Sequence, residues 1–449
     1  MTVRVRAIRL AALALTVALV VATVSSVVAG VAPVVAAGPA APTVAAVPSV
    51  APVKVLGAWP GRCLRAATNP SGAGRIAAVL DGKVTIGSPS DGSSVTLPVV
   101  LSADEAQVGW SPSGRYLATG DGRLWTRDGY ASGRLFDELT GFWGWSTAAD
   151  CALGVTGGEP GFNPNRVLSV GRPGAHPTPF LRGDISDFAF TPDGRYVVLV
   201  VAIGTTPPVT AGFWRVDLRT GTVVELARLA PENCCVHMAG FTADGTGLWF
   251  WGAPGGSVMA DGWPLMALDV RRPGRLITYG TSSRPTMTLP RADFVTTCGT
   301  RTMAVVGLFR VSTTVMDKRL AFVSPGHLPT YLTPSSRVFV SPACSPNGRY
   351  VVAAQGKDGG SSTRLRLTLL TSGGRTVGDL TDGGPWADAR PEWATPGVVF
   401  ERVPEAGGST QLWFAPAGGF AQATHLDVDE ASANAWDWSA TPPTGRSNT

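Results

Sequence analysis

The sequence predicts an all-β fold built from one four-stranded unit that is repeated around a ring. Three observations support this prediction. A segment of strand, tight turn and strand, Trp110 to Gly120, returns with small changes along the chain. The residue before its turn recurs roughly 35 to 57 residues apart, with a mean near 47, a period typical of propeller blades. Each copy is followed by a regular hairpin, so we predict a β-propeller of four-stranded antiparallel blades.

The repeated segment reads WSPSGRYLATG from Trp110, and its close copies are FTPDGRYVVLV, FTADGTGLWFW and CSPNGRYVVAA, which start at Phe190, Phe241 and Cys344. In each copy a Ser or Thr opens the turn, a Pro or Ala follows, and a Gly closes it. The Ser or Thr side chain bonds back to the backbone, Pro presets φ, and Gly accepts the closing conformation. The residue types of this segment are therefore sufficient to predict a turn between two strands.

The position before the turn is occupied eight times, mainly by large apolar residues: Trp110, Trp145, Phe190, Phe241, Cys298, Cys344, Trp393 and Trp438. The residues two places earlier are also mainly apolar, and this alternation indicates a strand face that packs between blades. We therefore assign the tryptophans of these positions, with Trp143 and Trp436, to the core and not to a sugar-stacking surface.

The sequence contains eight such hairpins, from Val84–Leu97 to Leu412–Leu426, and we count eight four-stranded blades. Seven is the alternative, because CLRAATNPSG, residues 63–72, also resembles a strand and a turn. The segment NAWDWSA, residues 434–440, copies a first strand, and a proline-rich tail follows it. We expect this strand to complete the first blade and close the ring, which removes exposed sheet edges.

The motifs WSPSGRY, FTPDGRY, FTADG and CSPNGRY resemble those of TolB-like, WD-type β-propeller repeat proteins, and the resemblance extends over residues 60–440. The resemblance implies the propeller fold. Members of this family are used mainly for binding but share no single ligand, so the resemblance implies architecture rather than a particular function. Several units depart from the pattern: WSTAADC, CGTRT and WATPG keep the position without the full turn.

The N-terminus has the plan of a secretory signal. Three arginines within residues 4–9 precede the apolar run Leu10–Val24, and small residues follow up to Ala37. The run is also long enough for an uncleaved membrane anchor. We expect residues 1–37 to be a signal peptide or signal anchor, 38–57 an Ala/Pro/Val-rich tether, 58–440 the β-propeller and 441–449 a disordered tail. The protein is expected to be secreted or extracytoplasmic, and membrane-anchored if the segment stays uncleaved.

The formal net charge of +5 comes mostly from this N-terminal segment. Removing residues 1–37 takes away three arginines and no acid, which leaves 34 basic and 32 acidic residues. A nucleic-acid partner needs a basic stripe on the folded domain. We therefore expect no nucleic-acid partner.

Six cysteines follow the signal, and an even number in an exported chain favours disulfides. The candidates are Cys63, Cys151, Cys234, Cys235, Cys298 and Cys344. Cys298 and Cys344 end corresponding strands of successive repeats and are the first pair expected. The adjacent Cys234 and Cys235 are expected to bond elsewhere, because a ring between neighbours is strained.

No catalytic motif is present in the sequence. It contains no G-x-S-x-G nucleophile elbow, no H-E-x-x-H pair and no C-x-x-C spacing, and its four histidines lie in different repeats. We predict no catalytic residue, no cofactor and no metal site.

Strand parity predicts that the short turns share one face of the ring and the long irregular loops share the other. Loops on a rigid scaffold commonly carry binding residues. We place Trp263 and Trp386 in such loops, beside Asp261, Arg284, Arg291 and Asp388, because aromatic and arginine side chains are common interface anchors. The alternative is that the two tryptophans only cover the ends of blades.

The leading hypothesis is an exported, non-catalytic β-propeller that binds a protein or a cell-envelope component through its loop-rich face. The alternative is a carbohydrate-active propeller enzyme, a lyase or hydrolase, with its site at the central channel. A third hypothesis is a sensor domain held at the membrane by an uncleaved N-terminal helix. Histidine, arginine and carboxylate groups converging on the axis would favour the enzyme.

Overall fold

Antiparallel strands joined by short turns make up nearly all of the regular structure in the computed structural model. The described residues are 53–65, 74–80, 82–88, 92–102, 105–139, 141–157, 165–203, 210–229, 236–251, 263–281, 283–288, 292–307, 318–334, 336–357, 364–394, 397–406, 410–416, 424–429 and 436–438. The expected signal, most of the tether, the C-terminal tail, Cys234 and Cys235 lie outside them.

The first half of the chain supplies four blades. A short strand, β1 (Lys54–Val55), precedes them. Blade 1 contains β2 (Ile76–Leu80), β3 (Lys83–Gly87) and β4 (Ser94–Val100). Blade 2 contains β5 (Val108–Trp110), β6 (Tyr116–Thr119), β7 (Arg123–Thr126) and β8 (Ala131–Arg134). Blade 3 contains β9 (Trp143–Trp145), β10 (Ala152–Thr156), β11 (Val167–Arg172) and β12 (Ala175–Arg182). Blade 4 contains β13 (Ile185–Phe190), β14 (Tyr196–Ile203), β15 (Thr210–Asp217) and β16 (Val223–Arg228).

The second half supplies the other four. Blade 5 contains β17 (His237–Phe241), β18 (Gly247–Trp251), β19 (Trp263–Asp269) and β20 (Leu276–Thr278). Three short strands follow it: β21 (Gly280–Thr281), β22 (Arg284–Pro285) and β23 (Met287–Thr288). Blade 6 contains β24 (Val295–Cys298), β25 (Arg301–Val306), β26 (Arg319–Ser324) and β27 (His327–Tyr331). Blade 7 contains β28 (Arg337–Cys344), β29 (Tyr350–Lys357), β30 (Arg366–Thr371) and β31 (Thr376–Asp379). Blade 8 contains β32 (Trp386–Ala394), β33 (Gly397–Pro404), β34 (Gln411–Pro416) and β35 (Thr424–Asp429), and β36 (Trp436–Trp438) is the last strand.

The described residues thus form an eight-bladed propeller, and the seven-blade alternative is wrong. Strand β36 pairs with β2 as the first strand of blade 1, so the C-terminal strand closes the ring as predicted. First strands of neighbouring blades contact one another, as β5 does with β9 and β28 with β32. The segment that suggested another unit begins in a 3-10 turn, Gly61–Leu64, and not in a strand.

Each blade is buried on both faces, which explains why many second and third strands are continuous apolar runs. In β14, Val197, Leu199 and Val201 pack in the cluster shared with blade 3. Val198 and Val200, the alternate residues of the same strand, pack in the cluster shared with blade 5. Successive side chains point to opposite faces of a strand, so one strand contributes to two inter-blade cores.

The repeated turn forms as its residues predict. In blade 4, Gly194 N donates to Thr191 O at 2.8 Å, and Tyr196 N donates to Thr191 Oγ1 at 3.0 Å. Gly194 has φ 64°, in the left-handed region that glycine adopts without strain. Copies with the same glycine bond occur at Gly114, Gly245 and Gly348. We call the ring surface formed by these turns and the hairpin turns the turn face, and the opposite surface the loop face.

Two disulfides are present in the described residues. Cys298 and Cys344 are bonded, with Cα atoms 5.3 Å apart, and join the first strands of blades 6 and 7 as the repeat predicts. Cys63 is bonded to Cys151, with Cα atoms 5.7 Å apart. This second bond joins the segment before blade 1 to blade 3.

The end of the segment expected to be the tether also has regular structure. Lys54 and Val55 pair with Arg182 and Leu181 at the outer edge of blade 3, and Val53 is buried. Strand β12 would otherwise leave its outer backbone groups unpaired, and the end of the expected tether satisfies them. In the described part of the chain, no helix has the length and apolar character needed to cross a membrane.

Candidate functional site at the propeller axis

Of the residues predicted for the loop face, those that the structure describes do not form one exposed cluster. Trp263 begins strand β19 and is only 6% exposed, so its side chain packs between blades 5 and 6. Trp386 begins strand β32. The assignment of both tryptophans to loops is therefore wrong, because each strand extends further than its turn signals suggest. Arg284 is exposed in β22, and Asp261 and Arg291 lie outside the described residues.

Asp388, the next but one residue after Trp386, forms a buried ion pair. Arg402 Nε donates to Asp388 Oδ1 at 2.6 Å, and Arg402 Nη2 donates to Asp388 Oδ2 at 2.8 Å. Their side chains are 7% and 0% exposed. Burial raises the pKa of Asp388 above its ordinary value, although the hydrogen bonds from Arg402 and Thr381 act in the opposite direction.

Aromatic rings enclose the guanidinium of this pair. The Arg402 Cζ lies 4.3 Å from the ring centroid of Trp386 and 4.2 Å from that of Trp413. Such cation–π contacts are strongest where water is excluded. Trp386 and Asp388 therefore contact Arg402 inside blade 8 and stabilise that blade. Their role in ligand binding stays a prediction.

Two residues of the first strands have an unusual backbone conformation at matching places. Ser341 in β28 and Arg390 in β32 both have φ 49°, and each directly precedes a proline. Each lies at a β-bulge, where the register of its strand shifts. Positive φ is disfavoured for residues other than glycine and tends to occur at functional sites. The two bulges mark the part of the axis that we consider for binding.

A cleft of about 380 Å³ lies beside these bulges, along the first strands of blades 6, 7 and 8. We call it the axial cleft. It extends from Asp293 and Val295, at the loop-face end, to Pro346 in the turn of blade 7, and it also includes Arg390 and Glu392. Its wall is polar, with both signs of charge.

The polar groups of the axial cleft hold one another in place. Ser341 Oγ donates to Asp293 Oδ2 at 2.6 Å, which links blades 6 and 7. Arg390 Nη1 lies 2.8 Å from Glu401 Oε1, within blade 8. These bonds orient a hydroxyl, a carboxylate and a guanidinium along the cleft wall, and Glu401 holds the guanidinium from outside the lining. Groups fixed in this way recognise a polar ligand with little further ordering.

The aromatic residue before the repeated turn has a second role at the axis. Trp393 Nε1 donates to Ala343 O of blade 7 at 2.9 Å, and Trp145 Nε1 donates to Gly109 O of blade 2 at 2.9 Å. Both acceptors lie one place before the corresponding position of the preceding blade. The repeated tryptophan therefore binds neighbouring blades together by hydrogen bonding as well as by packing.

A titratable group with a raised pKa lies on the first strand of blade 4. Asp187 in β13 has a pKa raised to about 6 by burial, against the lowering effect of the Phe188 N hydrogen bond. His176 and His327 are exposed in β12 and β27, away from the first strands. In the described residues, no group of three or more His, Cys, Asp or Glu side chains could hold a metal ion.

The sequence did not indicate Asp293, Ser341, Arg390, Glu401 or Arg402. A signal for two of them does exist: SPAC and RPEW place a proline at the same offset before the turn in successive units. A proline removes a backbone donor, so within a sheet it occurs at an edge or a bulge. This argument would have located the bulges at Ser341 and Arg390, but not the side chains that they orient.

No protein-family model matches the sequence, and no curated protein matches it. Similar solved structures include a eukaryotic initiation factor, 16% identical with a TM-score of 0.48, covering 84% of this chain and 90% of that one. A putative TolB from Agrobacterium tumefaciens is 14% identical with a TM-score of 0.35, covering 81% of this chain and 93% of that one. A puromycin hydrolase is 14% identical with a TM-score of 0.46, and the match covers 84% of this chain but 57% of that one. The strand pairing of the described residues is that of an eight-bladed β-propeller, and TolB proteins are among the solved structures to which the chain is similar.

Proposed function

We propose that this protein is an exported β-propeller that binds a protein or a cell-envelope component at the loop-face end of the axial cleft, without catalysing a reaction. The observation that carries the proposal is the pair of matching bulges at Ser341 and Arg390, which line one polar cleft. A strained backbone conformation persists only where the surrounding structure holds it, and such positions cluster at active sites and ligand-binding sites.

Binding is favoured over catalysis by the way the cleft groups are paired. Asp293 accepts a hydrogen bond from Ser341, and Glu401 is paired with Arg390. Among the described residues that line the cleft there is no histidine, the side chain that most often serves as a general base. The cleft instead offers charges of both signs to a polar segment of a partner.

Export is supported by the two disulfides, Cys63–Cys151 and Cys298–Cys344. Such bonds persist in oxidising compartments and are rare in the cytosol. They are compatible with an extracytoplasmic protein, and the apolar N-terminal segment of the sequence is the signal that we propose directs it there.

The test is capture of partners from cell-envelope fractions on the immobilised full-length chain. Arg390→Ala and Ser341→Ala remove cleft groups, and Arg349→Gln is the matched control, because Arg349 is exposed in the turn of blade 7 on the opposite face. We expect one partner to be recovered with the wild type and the control, and at least about tenfold less of it with the cleft variants. Equal recovery with all four proteins, at unchanged thermal stability, would remove the axial cleft from the proposal.

A further inference from the structure

The turn face contains a second pocket, of about 330 Å³, between blades 2 and 3. The repeated turn of blade 2 forms one wall with Ser113 and Arg115, and the corresponding turn of blade 3 forms another. The 3-10 turn Gly61–Leu64 forms a third, held by the Cys63–Cys151 disulfide. The walls are thus fixed by a covalent bond and by the turn chemistry of two blades. We call this pocket the arginine pocket.

Four arginines line the arginine pocket: Arg62, Arg65, Arg115 and Arg172. Within the described residues, none of their guanidinium groups forms an ion pair or a side-chain hydrogen bond. Elsewhere on the turn face arginines do have acidic partners, as Arg195 has Asp217 at 3.3 Å and Arg275 has Asp269 at 3.4 Å. The four pocket arginines are therefore a local concentration of uncompensated positive charge.

The carboxylate in the pocket wall, that of Asp150, is already engaged. Ser113 N donates to Asp150 Oδ1 at 3.1 Å, and Ser113 Oγ donates to Asp150 Oδ2 at 2.7 Å. Both carboxylate oxygens are thus used to join the turns of blades 2 and 3. Four guanidinium groups and one carboxylate leave a net positive charge in the pocket, and an anion would relieve the repulsion among the arginines.

We propose that the arginine pocket binds a phosphate group. The planar guanidinium presents paired N–H donors that match phosphate oxygens, and several arginines around one site are typical of phosphate recognition. A phosphate offers more acceptor oxygens to four converging side chains than a carboxylate does. The pocket lies on the face opposite to the loop-face end of the axial cleft, so this inference is independent of the function proposed above.

Isothermal titration calorimetry of the full-length chain with phosphate and pyrophosphate tests the inference. Arg115→Gln and Arg172→Gln remove one pocket guanidinium each. Arg349→Gln is the matched control, because it follows the turn glycine as Arg115 does but lies in blade 7. Losing a hydrogen-bonded charge weakens binding by about tenfold or more. We expect that loss for the two pocket variants, an unchanged affinity for the control, and weaker binding of all ligands at high salt.

A phosphate group can be free or carried by a lipid, and vesicles distinguish these sources. Binding of pyrophosphate without binding to phosphatidylglycerol vesicles assigns a soluble phosphate ligand. Vesicle binding that Arg115→Gln abolishes and Arg349→Gln preserves assigns the lipid headgroup. No saturable binding of any of these ligands by the wild type, or equal binding by wild type and Arg172→Gln, overturns the inference.

Discussion

The buried Asp388–Arg402 pair provides the sharpest test of the energetics of this fold. Its bidentate hydrogen bonds of 2.6 and 2.8 Å place a carboxylate and a guanidinium in a site from which water is nearly excluded. With charge centres about 4 Å apart and an effective dielectric constant of about 20, their attraction is about 4 kcal/mol. Removing one partner of a buried pair usually costs about 3 to 5 kcal/mol, because the other charge is left uncompensated.

We therefore expect Asp388→Asn to lower the free energy of unfolding by about 3 to 4 kcal/mol. Guanidinium-induced unfolding, followed by tryptophan fluorescence, measures this change, and Trp386 and Trp413 report on the site because they stack on Arg402. The double variant Asp388→Asn/Arg402→Met should regain part of the loss, since no charge then remains buried.

The control is Glu405→Gln. Arg364 Nη2 lies 2.8 Å from Glu405 Oε2, but this pair is exposed, with 70% and 32% of the side chains accessible. Exposed pairs contribute less than about 1 kcal/mol, so the control should unfold nearly as the wild type does. A loss below about 1 kcal/mol for Asp388→Asn, equal to that of the control, would refute the argument that burial decides the strength of the pair.

Three further predictions concern the axis. Replacing Cys298 and Cys344 by serine should lower stability by about 4 kcal/mol, because the bond closes a long loop in the unfolded chain, and reductant should then have less effect on the variant's unfolding midpoint. Trp393→Phe should cost about 1 kcal/mol in a denaturant titration, since Ala343 O loses its inter-blade donor while most of the apolar contact stays. The Asp187 pKa of about 6 lies above its ordinary value of 3.8. The protonated carboxyl therefore stabilises the fold below about pH 4, and this contribution is lost as the pH rises through 6. Asp187→Asn should remove about 2 kcal/mol of this pH dependence, and melting curves from pH 4 to 8 that match the wild type would contradict it.

The architecture was predictable because its signals are local. The turn at Thr191–Gly194 needs a hydroxyl, a glycine and their hydrogen bonds within a few residues, and the same turn returns in blades 2, 5 and 7. The Cys298–Cys344 bond followed from the same repeat, because both residues hold one position in successive units. Boundaries were less predictable: residues 54 and 55 join blade 3 by pairing with residues far along the chain.

The candidate sites depend on strand register and on contacts between distant segments of the chain. Neither can be predicted from the composition or from the spacing of the repeat. Trp386 and Asp388 were noticed as side chains of a loop, yet their shared partner Arg402 is set by pairing between β32 and β33. The arginine pocket joins residues from 62 to 172, which belong to different turns and to the segment before blade 1. Each of its arginines, taken singly in the sequence, has the appearance of an ordinary surface residue.

Because β36 closes the ring, blade 1 can be completed only after the C-terminal strand has been synthesised. Blade 1 starts at Ile76, but its first strand is supplied by Trp436–Trp438, so this sheet stays one strand short until residue 438 is available. A contact between such distant parts of the chain forms slowly, because the long intervening segment must first be brought together. Blades 2 to 8 each draw their four strands from one continuous stretch and need no such contact. Blade 1 is therefore the place where the ring is closed. While the chain is still emerging from a ribosome or a translocation pore, the ring remains open at this blade.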